Sequence, residues 1–367
     1  MKVLHILDSL NRGGAEMLEL DVCRNANAND LDLIFVAAGG GDLAGDFENS
    51  GIEPIRLQRR LPLDPSLIKN LRKIIKTHNV EIVHAHQAVE GLHGYFACLG
   101  TKAKLVLTFH GYIPDGKNRL ALKFLIPRVA ANIAVSKQFL NWLSQKDGLD
   151  TTRNFHVVYN GVDEKRLASS GNSLRSELGL GQASLIFGMV GNFYAAPRKD
   201  QFTVCRALPA VLNRFPNAHF VFAGRAEENS DLEKCISFCR SHEIDDRVHF
   251  LGGRKDIADI WRALDVFVLS TQHEGLAISA IEAMLAKVPT ILSDIAPLIE
   301  VSQNGEFAKI FKTSNAEDLV EKMIDLAEDE KLRKDLAARA YDFAKNTFSI
   351  EAHIAALKHL YERIASQ

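Results

Sequence analysis

A chain of 367 residues is too long for one ordinary hydrophobic core and is a natural size for two α/β domains. Its 47% apolar and 25% charged residues fit a globular protein, and a formal net charge of −2 excludes the global basic field of a nucleic-acid binder. The five cysteines (Cys23, Cys98, Cys205, Cys235 and Cys239) are odd in number and scattered, which argues for a reducing compartment and idle thiols rather than a disulfide framework.

In chain order, the first apolar run stops at Asp8 and is too short for a secretory signal. Short apolar runs then alternate with helical patterns, the mark of parallel α/β construction. In the first half the expected strands are Val3–Leu7, Leu33–Ala37, Ile55–Leu57, Ile82–His84, Leu105–Phe109, Ile133–Val135 and His156–Tyr159. In the second half they are Leu185–Val190, His219–Ala223, Val248–Leu251, Val266–Leu269, Thr290–Ser293 and Ala308–Phe311. Leu67–Thr77 and Asp318–Ala327 carry apolar residues at helical spacing. The polar run Ser169–Ser173 suits a linker, and 349–366 reads as a closing helix. The expected division is residues 1–165, residues 166–347, and a closing helix in 348–367 that packs back on the first domain.

Two stretches suggest chemistry and are set aside. Asp30-Leu31-Asp32 has the Asp-x-Asp form of metal-dependent transferases, but it precedes its strand and so lies at the wrong end of the sheet. The basic, amphipathic stretch Arg119–Arg128 could rest on an anionic inner-membrane surface. Pro127 interrupts it, and packing within the domain is preferred. The neighbouring Leu120–Val135 carries Lys123, Pro127, Arg128 and Asn132 and does not span a bilayer. A cytoplasmic protein is expected, with peripheral membrane contact left open.

In doubly wound sheets ligands bind beyond the carboxyl ends of the strands. There the chain places Gly13-Gly14-Ala15-Glu16, His86, His110-Gly111, Gly191-Asn192, Gly224-Arg225 and His273-Glu274-Gly275-Leu276-Ala277. The amides of Gly275 to Ala277 open a helix and suit a phosphate or sugar hydroxyls. Glu274 stands at the loop edge and Glu282 about two turns into the helix, two carboxylates placed for two separate hydroxyl-rich groups. The bland alternative makes Glu274 a helix cap and Glu282 a surface acid. Arg198 and Lys199 are cations suited to a departing phosphate, or else solvated charges.

With Glu274 and Glu282 separated by seven residues and followed by Ala283-Met284, the sequence resembles the family four (group 1) retaining glycosyltransferases. Gly13-Gly14, Val83-His84-Ala85-His86, Asn160-Gly161-Val162-Asp163 and Ser293-Asp294 recur in that family's order. The resemblance implies the GT-B fold, two Rossmann-like parallel-sheet domains facing a central cleft. It implies a hexosyltransferase moving a sugar from UDP- or GDP-linked donors to a glycan or glycolipid, without metal or other cofactor, in polysaccharide synthesis. By this resemblance His110 and Glu274 are catalytic. Gly13, Gly14, Asn192, Arg198, Lys199, Arg254, Glu274, Gly275, Leu276, Ala277 and Glu282 bind the donor, and Glu16 and His86 face the acceptor. Asn192 stands where the family places an arginine, with Arg198 as its replacement. A sugar-nucleotide epimerase of the same fold and a non-catalytic sugar-nucleotide binder are the alternatives. A dehydrogenase would need Gly-x-Gly-x-x-Gly, which neither Gly13-Gly14 nor Gly188–Gly191 supplies.

Overall fold

The computed structural model describes residues 1–111, 116–145, 148–168, 173–196 and 198–366. Residues 169–172 of the expected linker Ser169–Ser173, and Pro197, lie outside the described residues. The chain forms two compact units, 1–162 with 347–367 and 163–346.

Unit 1 holds β1 (Lys2–Leu7), β2 (Asp32–Ala37), β3 (Ile55–Arg56), β4 (Ile82–His86), β5 (Lys104–Phe109), β6 (Ala131–Ala134) and β7 (Phe155–Val157). They form a parallel sheet in the order β3-β2-β1-β4-β5-β6-β7. Unit 2 holds β8 (Leu185–Val190), β9 (Ala218–Ala223), β10 (Val248–Phe250), β11 (Val266–Leu269), β12 (Thr290–Ser293) and β13 (Lys309–Phe311). Their order is β10-β9-β8-β11-β12-β13, again parallel. Both orders reverse direction once, between β1 and β4 and between β8 and β11. Loops leaving the two strands at such a point splay to opposite faces and open a crevice.

Helices cover the sheets because each shows one apolar stripe. In Pro65–Thr77 the stripe is Leu67, Leu71 and Ile75, and Asp64 caps the helix by accepting from the amides of Ser66 and Leu67. The helix Ile350–Ala365 buries Ile350, Ile354, Leu357, Leu360, Tyr361 and Ile364 among Val3, Leu7, Phe35 and Ala37 of the first sheet. Each such aliphatic contributes about 1.5–3 kcal/mol. The returning chain is fastened by two backbone bonds, Val162 N–H to Phe348 O at 2.9 Å and Ile350 N–H to Val162 O at 3.0 Å. Gly161 lies so close that an added Cβ would meet Ile350 Cα and Ser349 O at 2.9 Å.

Asp30 sits in a left-handed turn and Asp32 begins β2, at the amino end of the sheet. The basic stretch divides at its proline into the helix Gly116–Leu125 and a 3-10 turn, Ile126–Arg128. Leu122 and Leu125 are buried there, whereas Leu120 is exposed. Among the described residues no helix is long and apolar enough to cross a membrane. Cys235 and Cys239 are buried on the helix Leu232–Ser241, and Cys205 lies within hydrogen-bonding reach of both, a third thiol that sequence spacing did not bring to them.

Candidate active site

In unit 2 the loops after β8 and β11 are stapled together at the switch point. Lys199 and Thr271 form an antiparallel bridge. Asp200 N–H donates to Ser270 O at 2.9 Å, and Gln272 N–H to Arg198 O at 2.8 Å. The staple carries the Lys199 ammonium onto the Glu274 carboxylate in a half-buried ion pair. The Thr271 hydroxyl lies 3.1 Å from Glu274 Oε1. Glu274 is therefore no helix cap. The helix runs Ile278–Leu285 with Ala277 at its N-cap position and no side-chain cap, so its amino end faces the loop with amide groups.

Glu282 lies little more than one turn into this helix, nearer its start than the two turns expected. It is buried, and its Oε1 accepts from Arg166 Nη2 at 2.7 Å. A surface acid is excluded: an unpaired carboxylate at this depth would carry a heavy desolvation cost. Arg166 was missed by sequence reading. It comes from the one-turn segment Glu164–Leu167 that Asp163 caps, and no local spacing ties it to Glu282.

Four of the expected donor-binding residues have side chains that are already engaged or buried within unit 2. Arg254 has its guanidinium engaged on both edges, by Glu177 at 2.7 and 2.8 Å and by Asp256 at 2.6 and 2.8 Å. Those bonds hold the β10 loop and leave little of the fork for a base. The side-chain oxygen of Asn192 is taken by the Arg225 amide at 2.9 Å. Leu276 and Ala277 are buried, so only their backbone can meet a ligand. Arg198 is exposed, with its guanidinium 5.2 Å from the Tyr194 ring centre. Gly224 must be glycine, because a Cβ there would lie 2.2 Å from Gly191 O.

In unit 1, Gly13 is the N-cap of the helix Gly14–Asn25. The Glu16 carboxylate folds back over it, close enough that a Cβ on Gly13 would lie 2.5 Å from Glu16 Oε2. Burial raises the Glu16 carboxyl above its usual range, and the nearby Asp42 charge adds to that. This helix start therefore already holds an acid of its own, and Glu16 points at its own backbone rather than outward.

His86 is corrected more sharply. It is the last residue of β4, buried like every residue of that strand, and stands behind His110 instead of facing an acceptor. Its Nδ1 lies 2.7 Å from His110 Nε2, with the two rings stacked at 5.0 Å. His84, His5 and Tyr361 continue the row: His5 Nε2 to Tyr361 Oη is 3.0 Å and Tyr361 Oη to His84 Nδ1 is 2.6 Å. Glu19 closes it, with Oε2 2.6 Å from His5 Nδ1 and Oε1 3.2 Å from His86 Nε2. Burial pushes His84 and His86 well below the ordinary histidine range and His110 down to about 4. In His110 the Glu19 charge opposes that shift. His110 is thus a neutral imidazole at physiological pH. His5, His84 and His86 bring ring nitrogens within 4.8 Å of one another, the spread of a metal site. Both nitrogens of His5 and His84 already have hydrogen-bond partners, so an ion would have to displace them. Glu19 had one sequence signal, an acid inside the apolar run Met17-Leu18-Glu19-Leu20.

The model of glycosyl transferases group 1 matches residues 172–343, and that of glycosyltransferase family 4 matches residues 12–166. The chain is 23% identical over 309 residues to the N-acetyl-alpha-D-glucosaminyl L-malate synthase of Bacillus anthracis, covering 82% of this chain and 79% of that one. It is 25% identical over 315 residues to the Escherichia coli UDP-Gal:alpha-D-GlcNAc-diphosphoundecaprenol alpha-1,3-galactosyltransferase, covering 81% and 80%. The structure of Anabaena HepE in complex with UDP superposes with a TM-score of 0.83 at 21% identity over all of both chains, which shows the shared fold. Two Rossmann-like parallel sheets of this type are the GT-B architecture, and the chain, matched over 12–166 and 172–343, belongs to the group 1, family 4 glycosyltransferases, enzymes of the hexosyltransferase type.

Proposed function

We propose that this glycosyltransferase takes its sugar from a UDP- or GDP-linked donor, without a metal ion and with retention at the anomeric carbon. We further propose a glycolipid or glycan acceptor, reached from the cytoplasmic side during cell-surface polysaccharide assembly. The observation that carries the reading is the pair of anchored carboxylates at the β8/β11 switch point, Glu274 on Lys199 and Glu282 on Arg166. The named relatives support the donor class, since the E. coli enzyme is a UDP-Gal transferase, and its diphosphoundecaprenol acceptor supports the acceptor class.

In this reading unit 2 takes the nucleotide and unit 1 serves the acceptor. A diphosphate arriving at the helix start draws Lys199 from Glu274, because a phosphate holds more negative charge than one carboxylate. Glu274 is then free to accept from a donor-sugar hydroxyl, while Lys199 stabilises the charge that grows on the leaving phosphate. Arg198 supplies a second cation at the mouth of the loop. Glu282, held at one oxygen by Arg166, accepts from the ribose at the other. Retention follows front-face substitution, in which the departing phosphate takes the proton of the acceptor hydroxyl.

Calorimetry with UDP, GDP and ADP in EDTA tests the site. One nucleotide is expected to bind without metal, and Glu282→Ala to weaken it about tenfold or more, the worth of one charge-assisted hydrogen bond. His110→Ala is expected to cut donor turnover, measured by hydrolysis of UDP-glucose, UDP-galactose, UDP-N-acetylglucosamine or GDP-mannose, far more than nucleotide affinity. Loss of binding in EDTA, or an indifferent Glu282→Ala, sinks the site assignment, and an inverted product by NMR sinks retention.

A further inference from the structure

The two oxygens of Glu282 meet different surroundings. Oε1 forms an ion pair with Arg166 Nη2 at 2.7 Å, with 13% of the arginine side chain and 10% of the glutamate side chain left exposed. Oε2 makes no hydrogen bond with a described residue, and it keeps contact with solvent, unlike the sealed Oε1 of Glu19. A carboxylate oxygen has two lone pairs, so Oε2 can accept two hydrogen bonds at once. Two hydroxyls on neighbouring carbons fill an acceptor of this kind, and a single hydroxyl leaves it half used.

The arginine is itself anchored. Its turn, Glu164–Leu167, starts on Asp163, which accepts from the Lys165 amide at 2.9 Å. Glu164 Oε1 accepts from the Tyr341 hydroxyl at 2.8 Å, which ties the turn to the helix Glu330–Phe348. Glutamate has three side-chain torsions, and a buried carboxylate without a partner is costly. Without the guanidinium, Glu282 would swing toward whatever water or donor it could reach.

We propose that Arg166 is a positioning residue that holds Oε1 and so aims Oε2 of Glu282 at the vicinal hydroxyls of a ribose, making the site select ribonucleotide donors over 2′-deoxyribonucleotide ones. The inference rests on the ribose contact proposed above for Glu282. It narrows the donor class. UDP- and GDP-sugars carry the 2′-hydroxyl, whereas deoxythymidine diphosphate sugars lack it. A site built to accept from a hydroxyl rejects an analogue without one, because its own polar group is then left unpaired.

Calorimetry in EDTA compares UDP with 2′-deoxy-UDP, and GDP with 2′-deoxy-GDP. For the base that binds, the wild type is expected to hold the ribo form about tenfold or more tighter, the worth of one charge-assisted hydrogen bond. Arg166→Ala should weaken the ribo form by a similar factor and the deoxy form much less, bringing their ratio close to unity. A merely structural role would weaken both forms alike and leave the ratio in place. Because Arg166 acts through Glu282, Arg166→Ala should add little to the loss already caused by Glu282→Ala. A wild-type ratio near unity overturns the proposal, and this measurement stands even if Arg166→Ala fails to fold. So does a folded Arg166→Ala that keeps the wild-type ratio. The two readings separate on Glu282→Ala. If that variant keeps the ratio, or if the wild type binds no nucleotide, the ribose contact itself is at fault. If it abolishes the ratio while folded Arg166→Ala keeps it, only the positioning role of Arg166 fails.

Discussion

Glu90 shows how one buried side chain sets a pH dependence. Burial, aided by the charge of Asp8, lifts its carboxyl from 4.5 to about 8, while its Oε1 accepts from the Asp8 amide at 3.2 Å. Asp8 itself is tied to Arg59 by two bonds of 2.5 Å. Folded chains keep the Glu90 proton, whereas unfolded chains release it above pH 4.5. The stability this residue contributes is therefore complete below pH 4.5 and lost as the pH rises through about 8. Glu90→Gln keeps the acceptor and removes the ionisation. It should raise the stability of unit 1 at pH 8 by something on the order of 4 kcal/mol, with the gain shrinking toward pH 4.5. Denaturant titrations at the two pH values decide it, and a gain of equal size at both would point to another cause.

The elements that carry the donor loop depend on their ends. Asp200 caps the helix Gln201–Arg214 by accepting from the Thr203 amide at 3.1 Å and from its hydroxyl at 2.8 Å, directly beside Lys199. Asp200→Ala should cost about 1 kcal/mol of stability. It should also weaken nucleotide binding, because the staple that holds Lys199 loosens with the cap. A melting point lowered without any change in nucleotide affinity would show that cap and site are independent. Much of this level was legible in the sequence. The apolar runs Leu185–Val190, Val266–Leu269 and Thr290–Ser293 are strands to the residue, because a parallel strand covered on both faces needs an unbroken apolar stretch. β4 runs two residues further than its apolar part, since Ala85 and His86 are buried as well and the imidazole stays neutral. β6 begins two residues early for a related reason: Asn132 is buried and donates to Ile126 O at 3.1 Å. In the candidate site, Glu274, Glu282 and Lys199 could be named because they lie at a strand-end loop or on the helix that follows it, with a recognisable spacing. Arg166 and Tyr361 could not, because their partners are brought to them only by the fold; His5 and Tyr361 are 356 positions apart.

At the scale of the molecule, unit 1 is built from two separated stretches of chain and unit 2 from one. A chain ending at Asn346 should therefore leave unit 1 without its Ile350–Ile364 stripe while unit 2 stays whole. Limited proteolysis of that chain should degrade 1–162 and spare 163–346, which should still bind the nucleotide. Survival of both would mean that the first sheet is stable with that face uncovered. The same division sets an order of events on the ribosome. Unit 2 can be complete before the segment that covers the first sheet has been made, although most of that sheet was translated first. At about 5–20 residues per second residues 347–367 take roughly 1–4 s. Through unit 2's synthesis and that interval, Val3, Leu7 and Phe35 lack their covering helix. The nascent chain is thus most open to chaperone capture, or to aggregation, in 1–162, the part of unit 1 made before unit 2.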